Sequence, residues 1–200
     1  LAAGLLASVC LASCRSTRRA GGPLAAVVAR ADHAIASQFG DSRFVTALLC
    51  DLDLASGLLS WIPCGHPPPL LIRANQMVKE LARDPQPPLG LAGGRERERD
   101  AGQTPYAEHI VPCTEKLEPG DRVLFYTDGV TEGRAADGTP FGVERLSDFI
   151  VRHGAGLPAP ETIRRLNRAI VEYQHGRLHD DATVVLMEWQ PSQAGHDLTP

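Results

Sequence analysis

The order of the hydrophobic patterns along the chain restricts the fold more than any other feature of the sequence. Apolar residues recur at helical spacing over residues 1–12 and again over residues 24–35. After residue 43 the pattern changes to short apolar runs of strand length, which are separated by turn residues rather than by helices. Because parallel strands need a long crossover between them, these runs indicate antiparallel pairing. The pattern therefore predicts an α+β layered domain and not a parallel βαβ fold.

Turn residues and apolar spacing set the boundaries of the later elements. Strands are predicted over the apolar runs 44–54, 58–64, 70–72, 78–81, 106–113, 123–126 and 181–189. The first two form a hairpin, because a short turn with a glycine separates them. Helices are predicted over 143–151 and 162–173, where the apolar residues fall on one face. Residues 84–104 mix proline, glycine and alternating charge, which predicts a long irregular connection.

The composition indicates one ordinary globular domain. Of the 200 residues, 43% are hydrophobic and 22% charged, which is enough for a substantial core. We assign residues 1–188 to this domain and expect residues 189–200 to form a flexible tail. The net charge is -4 and the basic residues are scattered, so no nucleic-acid partner is expected. The apolar run at the amino end is shorter than the roughly 20 residues of a membrane span, so none is expected in this chain.

The five cysteines contain no CxxC pair that would indicate a zinc or redox centre. We interpret them as buried apolar residues in a reducing compartment, which predicts a cytoplasmic protein. Cys10 and Cys14 are one helical turn apart, so a shared role as metal ligands is the alternative there. Residues 11–14 resemble a lipoprotein cleavage site without a basic segment before it, so a lipid-anchored protein is a further alternative.

Two acidic positions are candidates for a functional site, because each lies where an apolar strand meets a tight turn. Asp128 follows the apolar run 123–126 and precedes Gly129, which leaves room for a ligand beside the backbone. Asp180 and Asp181 come directly before the last strand. Adjacent carboxylates repel one another, and a hard cation such as Mg²⁺ or Mn²⁺ removes that cost. The alternative is that Asp128 is an ordinary turn residue and that the other two are solvated charges.

Four motifs occur in one order along the chain: CGHPPP at residues 64–69, PLG at 88–90, FYTDGVTE at 125–132 and HDDATVV at 179–185. The third is followed by DG at 137–138 and FG at 141–142. Together they resemble the signatures of the PPM superfamily of metal-dependent serine/threonine protein phosphatases, in its SpoIIE/RsbU-like branch. The resemblance spans about residues 1–188 and implies a layered αββα sandwich of antiparallel sheets flanked by helices.

The resemblance also implies a chemistry. In this family two divalent ions, Mn²⁺ or Mg²⁺, lie between two central sheets and activate a water that attacks a phosphoserine or phosphothreonine, without a phosphoenzyme. By matching motif, Asp128 and Asp180 would be the catalytic metal ligands. Asp181 would be a third ligand or would orient the site.

Three residues would support the site by the same resemblance. Gly129 would let the backbone approach the ions. Gly65 and His66 belong to the CGHPPP motif, where the alternative for His66 is a structural histidine bonded to the backbone of the turn. His179 is interpreted as a neighbour of the ligands.

One part of the family pattern is missing. Family members carry further metal-binding aspartates in two motifs that precede the first helix, and neither motif is present here. The chain is therefore expected to correspond to the C-terminal two-thirds of such a domain, incomplete at its N-terminus. Because Asp128 and Asp180 alone do not complete a two-ion centre, we expect the 200-residue chain to bind metal weakly and to have little activity.

The resemblance implies a regulatory phosphoprotein as substrate and partner, of the phosphorylated STAS-type anti-anti-sigma factor class. The alternative is a catalytically inactive remnant that acts as a protein-binding regulatory module. Since helices near the PLG loop switch related proteins, residues 88–91 are expected to take part in control.

Overall fold

The computed structural model describes residues 2–74, 76–92, 106–154, 156–176 and 180–191. The helices are α1 (Ala2–Arg19), α2 (Leu24–Phe39), α3 (Tyr106–His109), α4 (Asp128–Thr131), α5 (Gly142–His153) and α6 (Ala159–Tyr173), with a 3₁₀ turn at Gly40–Ser42. The strands are β1 (Ala47–Asp53), β2 (Leu58–Cys64), β3 (Leu70–Arg73), β4 (Gln76–Glu80), β5 (Cys113–Lys116), β6 (Arg122–Tyr126) and β7 (Val184–Glu188). No helix in these described ranges is long and apolar enough to cross a bilayer.

The described residues fall into two compact units. The first unit is drawn from Leu1–Leu52, Leu58–His66 and Arg83–Glu115. The second unit is drawn from Asp53–Gly57, Pro67–Ala82 and Lys116–Pro200. The assignment of residues 1–188 to one domain stays a prediction.

In the first unit, helix α2 packs against α1 and against strand β2. Val28, Ala31 and Ile35 are completely buried, and their spacing of three and four residues places them on one face of α2. They pack with Ile62 of β2 and with Leu89. The sheet of this unit has the strand order β1-β2-β5, and a turn of four residues joins β1 to β2, so the predicted hairpin is confirmed.

The second unit is built on a four-stranded antiparallel sheet with the order β4-β3-β6-β7. Strand β6 is central, and its Leu124 lies between Leu70 of β3 and Leu186 of β7. On the covered face Leu124 belongs to a core that includes Leu146 of α5 and Leu166 of α6, both completely buried. The central strand and the two amphipathic helices that the sequence predicted are therefore confirmed, as is the α+β class with antiparallel sheets.

An ion pair fixes the start of β6. Asp121 is 1% exposed and accepts hydrogen bonds from Arg73 Nε at 2.9 Å and Nη2 at 2.7 Å. Its Oδ2 also accepts the N–H of Glu118 at 2.8 Å, which closes the turn before the strand. Because a buried carboxylate needs such partners, this cluster holds β6 in place at the end opposite Asp128.

One predicted strand boundary was wrong. Tyr106–His109 forms helix α3 instead of the start of a strand, and the strand begins only at Cys113. Ala107 and Glu108 favour a helix, and Pro112 has no N–H to donate to a ladder, so pairing starts after it. Trp189, the last residue of the predicted strand 181–189 and the first of the expected tail 189–200, is 6% exposed, and its Nε1 donates to the carbonyl of Leu54 at 3.2 Å. Residues 192–200 of that tail lie outside the described residues.

The irregular connection predicted over 84–104 is confirmed where it is described, since residues 84–92 contain no helix or strand. The rest of that connection lies outside the described residues. The interpretation of the cysteines as buried holds for Cys10 and Cys64, whereas Cys50 is exposed and Cys14 and Cys113 are half-buried.

Candidate functional site

The pairing of β6 with β7 brings the two predicted acidic segments to one end of the sheet. The last register pair is Tyr126 with Val184. Beyond it, Thr127 N–H donates to the carbonyl of Thr183 at 3.1 Å, and Thr183 N–H donates to Thr127 Oγ1 at 2.9 Å. Asp128 therefore follows β6 at the same end of the sheet at which the chain enters β7.

Gly129 is where these two segments touch. A Cβ atom built on this glycine would lie 2.4 Å from the carbonyl oxygen of Asp181 and 3.1 Å from its carbonyl carbon. Both are backbone atoms that cannot rotate away, so any side chain at this position would push the segments apart. Close packing against the HDDATVV motif is thus sufficient to explain the glycine in the FYTDGVTE motif, whether or not a ligand also needs the space.

The carboxylates of this region are exposed, and each uses one oxygen within its own turn. Asp128 begins the short helix α4, and its Oδ1 accepts the N–H of Gly129 at 2.9 Å. Asp180 Oδ1 accepts the N–H of Asp181 at 2.8 Å. Within the described part of the chain, neither Oδ2 has a hydrogen bond. Exposed carboxylates with an oxygen available are suited to binding a cation.

A cleft of about 250 Å³ lies at this end of the sheet. We call it the carboxylate cleft; it is lined by Gly129, Glu132, Gly133, Arg134 and Asp180. The sequence predicted two of its five lining residues. Asp128 and Asp181 are each adjacent in the chain to a lining residue.

The donor atoms of the cleft partly suit the divalent ions that the family motifs imply. Carboxylate oxygens are the ligands that Mg²⁺ and Mn²⁺ prefer, and the contact at Gly129 keeps the two acidic segments together. Within the described ranges, however, no group of three or more His, Cys, Asp or Glu side chains is arranged to hold a metal ion. His179 lies outside those ranges. The described residues thus provide part of an oxygen-donor site.

Gly65 and His66, the other predicted supporting residues, belong to the first unit. Gly65 has a φ of 68°, and a Cβ atom built on it would lie 2.8 Å from Cγ of Pro88. The N–H of Gln86 donates to the carbonyl of Pro63 at 2.7 Å. The CGHPPP motif and the PLG motif are therefore packed against each other. A role of Gly65 or His66 beside the carboxylates stays a prediction.

Asp32, a buried acidic residue in α2, was not predicted from the sequence as a functional residue. Asp32 is 2% exposed, and its Oδ1 accepts hydrogen bonds from Gly90 N–H at 2.7 Å and from Ala92 N–H at 3.1 Å. The signal for it was present in the sequence, because Asp32 interrupts the apolar face between Val28 and Ile35 and a charge in such a position needs a buried partner. This carboxylate ties the PLG loop to α2.

One tyrosine and two cysteine side chains have shifted pKa values. Burial, with a smaller contribution from the charge of Glu80, raises the pKa of Tyr126 in β6 to about 12, so this phenol stays protonated. A hydrogen bond with the thiol of Cys10 lowers the pKa of Cys14 to about 7. The pKa of Cys10 is correspondingly raised.

The comparisons with known proteins match the motifs and the fold. The chain is 24% identical over 153 residues to protein IcfG of Synechocystis sp., an alignment that covers 76% of this chain and 22% of IcfG. The SiaA PP2C domain of Pseudomonas aeruginosa superposes with a TM-score of 0.74 at 20% identity, over 93% of this chain and 70% of that domain. The RsbU and RsbW domains of Rv1364c from Mycobacterium tuberculosis superpose with a TM-score of 0.67 at 25% identity.

This last match covers 95% of the chain and 50% of the Rv1364c structure, so the chain spans half of that structure and about a fifth of IcfG. Its fold is that of PP2C-type phosphatase domains. The family model named stage II sporulation protein E (SpoIIE) matches residues 1–190. With nearly the whole chain matched, the protein belongs to the SpoIIE family of PPM-type phosphatases.

Proposed function

We propose that this protein hydrolyses phosphoserine or phosphothreonine in a regulatory phosphoprotein, with Mn²⁺ or Mg²⁺ as cofactor. The observation that carries the proposal is the contact of Gly129 with Asp181, which keeps Asp128 and Asp180 at one end of the β6–β7 pair. Membership of the SpoIIE family supports the same activity.

In this proposal the residues of the chain position the ions and the substrate and do not themselves react covalently. Divalent ions, when bound, supply Lewis-acid activation of water and neutralise charge on the phosphoryl oxygens. Asp128 and Asp180 bind these ions through their exposed oxygens, and Asp181 supplements or orients them. The β6–β7 ladder holds both segments, so the carboxylates need little rearrangement when substrate arrives.

The proposed substrate is a phosphorylated STAS-type anti-anti-sigma factor or a similar phosphoprotein. The RsbU domain in the Rv1364c structure and the SiaA domain support a bacterial signalling role. A net charge of -4 gives no electrostatic reason for a nucleic-acid partner. We place the protein in the cytoplasm, where such signalling phosphoproteins are found.

The second candidate is a protein-binding regulatory module without catalytic activity. The observation in its favour is that the described residues contain no cluster of three potential metal ligands. In this case the fold would be kept as a docking surface, and Asp128 and Asp180 would be solvated turn residues.

Calorimetric titration with Mn²⁺, together with phosphate release from a phosphoserine peptide, separates the two candidates. The variants are Asp128→Asn and Asp180→Asn, with Asp148→Asn as the control, because Asp148 is an exposed aspartate on α5 that pairs with Arg152 outside the cleft. The phosphatase proposal expects weak metal-dependent phosphate release by the 200-residue chain, which both site variants lose and the control keeps. Phosphate release that survives in both site variants would falsify the ligand assignment, and no metal binding by the parent protein would favour the docking module.

A further inference from the structure

One positively charged side chain, Arg134, lines the carboxylate cleft, and the proposed metal site does not explain its role. Four of its five lining residues are glycines or acids, and Arg134 is the fifth. A phosphate monoester carries about two negative charges at neutral pH, so Glu132 and Asp180 alone would repel it. The positive charge of Arg134 in the same cleft offsets this repulsion.

The backbone around Arg134 is closely fixed. Arg134 forms an antiparallel bridge with Pro140, and Ala135 N–H donates to the carbonyl of Thr139 at 2.9 Å. Phe141 N–H donates to the carbonyl of Gly133 at 2.7 Å on the other side. The residue is therefore the base of a hydrogen-bonded loop and not part of a free surface segment.

The side chain is fixed as well, but at one nitrogen only. Arg134 Nη1 donates to the carbonyl of Gly138 at 2.8 Å. A guanidinium carries five N–H donors in a planar fork, so this single bond orients the group and leaves most of its donors for a ligand. Glu132 and Asp180 line the same cleft, yet in the described structure neither of them forms an ion pair with Arg134.

This lack of an ion pair is unusual within the second unit. Its other described arginines pair with carboxylates, apart from Arg145, which lies over the ring of Tyr173. The pairs are Arg73 with Asp121 and Glu118, Arg122 with Glu188, Arg152 with Asp148, Arg164 and Arg165 with Glu161, and Arg168 with Glu172. An arginine held in a cleft beside two acids without pairing to either is available for an incoming anion.

We propose that Arg134 binds the phosphoryl group of the substrate in the carboxylate cleft. Arginine matches phosphate oxygens with two parallel N–H bonds, and such charge-assisted bonds are stronger than neutral ones. Arg134 would orient the phosphoryl group toward Asp180 and offset the charge that develops on its oxygens during hydrolysis. This inference rests on the proposed phosphatase function, of which it names the substrate-binding residue.

The test compares Arg134→Met, Arg134→Lys and the control Arg152→Met, which removes an exposed arginine of α5 outside the cleft. Turnover is measured on a phosphoserine peptide and on p-nitrophenyl phosphate, which share only the phosphoryl group. Arg134→Met is expected to lower kcat/KM by about 10- to 100-fold on both substrates. The kcat/KM of Arg134→Lys is expected to lie between those of the parent and Arg134→Met, because lysine keeps the positive charge but lacks the planar fork of N–H donors. A loss on the peptide alone would place Arg134 against the peptide and overturn the proposal.

A binding measurement separates this proposal from the proposed function. Calorimetric titration with inorganic phosphate in the presence of Mg²⁺ needs no turnover. The dissociation constant is expected to rise about 10- to 100-fold in Arg134→Met and to stay unchanged in Arg152→Met. If no variant or parent releases phosphate from substrates, the proposed function fails, and this titration still decides the role of Arg134. Equal phosphate binding by the parent and by Arg134→Met overturns the proposal that Arg134 binds the phosphoryl group. The absence of phosphate binding by the parent overturns it as well.

Discussion

Gly129 is packed so closely against Asp181 that a single added carbon would lie 2.4 Å from the carbonyl oxygen of Asp181. This contact joins the residue after Asp128 to the residue after Asp180. The geometry of the two carboxylates therefore depends on the absence of a side chain at position 129, and the contact can be tested without any assumption about the metal.

Gly129→Ala is expected to lower the free energy of unfolding by about 1–3 kcal/mol, because the new methyl group overlaps backbone atoms that must move. Phosphatase activity is expected to fall further than stability, since the movement separates Asp128 from Asp180. Thermal unfolding and phosphate release measure the two effects. The control is Gly4→Ala on α1, where a Cβ atom meets nothing within 4 Å. A Gly129→Ala protein with the stability and turnover of the parent would show that the contact is not required.

The buried carboxylate of Asp32 gives a second prediction. Asp32→Ala leaves the N–H groups of Gly90 and Ala92 without their acceptor, which is expected to cost about 1–3 kcal/mol of stability. The loss should be concentrated in the PLG loop, so amide hydrogen exchange at Gly90 and Ala92 is expected to accelerate more than exchange in β6.

Asp32→Asn is the matched control, because its amide oxygen can still accept both hydrogen bonds at nearly the same size. It is expected to keep most of the protection at Gly90 and Ala92. Unchanged exchange at these two amides in Asp32→Ala would contradict the assignment of Asp32 as the anchor of the loop.

The thiol pair in α1 predicts a pH-dependent reactivity. The hydrogen bond with Cys10 lowers the pKa of Cys14 to about 7, whereas burial raises the pKa of Cys64 to about 12. The thiolate is the reactive form, so alkylation of Cys14 by iodoacetamide is expected to rise about tenfold per pH unit below pH 7 and to level off above about pH 8.

Peptide mass spectrometry after brief alkylation resolves the cysteines. In Cys10→Ala the hydrogen bond is lost, and the inflection for Cys14 is expected to move to higher pH. The same inflection in the parent and in Cys10→Ala would show that Cys10 does not set the acidity of Cys14.

The sequence predicted well those elements whose own residues determine the local structure. Leu124 lies in a continuous apolar run, which is typical of a central strand, and Gly129 sits in a motif whose glycine has a steric role. Helix α3 was missed because the four residues Tyr106–His109 are too short a stretch for the apolar pattern to separate helix from strand.

The parts of the site that the sequence did not predict depend on distant partners. Asp32 is one charge on an apolar helix face, and nothing local identifies Gly90 as its donor. Arg134 lines the cleft together with Asp180, which belongs to the separate segment before β7. Such relationships follow from tertiary contacts, which neither period nor turn chemistry encodes.

Trp189, at which the predicted last strand meets the expected tail, gives the last prediction. Its backbone N–H donates to the carbonyl of Asp121 at 3.0 Å, and its indole N–H donates to the carbonyl of Leu54. Its ring packs against Gly57 so closely that a Cβ atom built on this glycine would lie 2.7 Å from the ring. Trp189→Ala is expected to lower the free energy of unfolding by about 3–5 kcal/mol, because the ring leaves a cavity. Trp189→Phe keeps most of the ring and is expected to lose much less. Urea unfolding measures both, and equal stability of the parent and Trp189→Ala would restore the view that the folded part ends at residue 188.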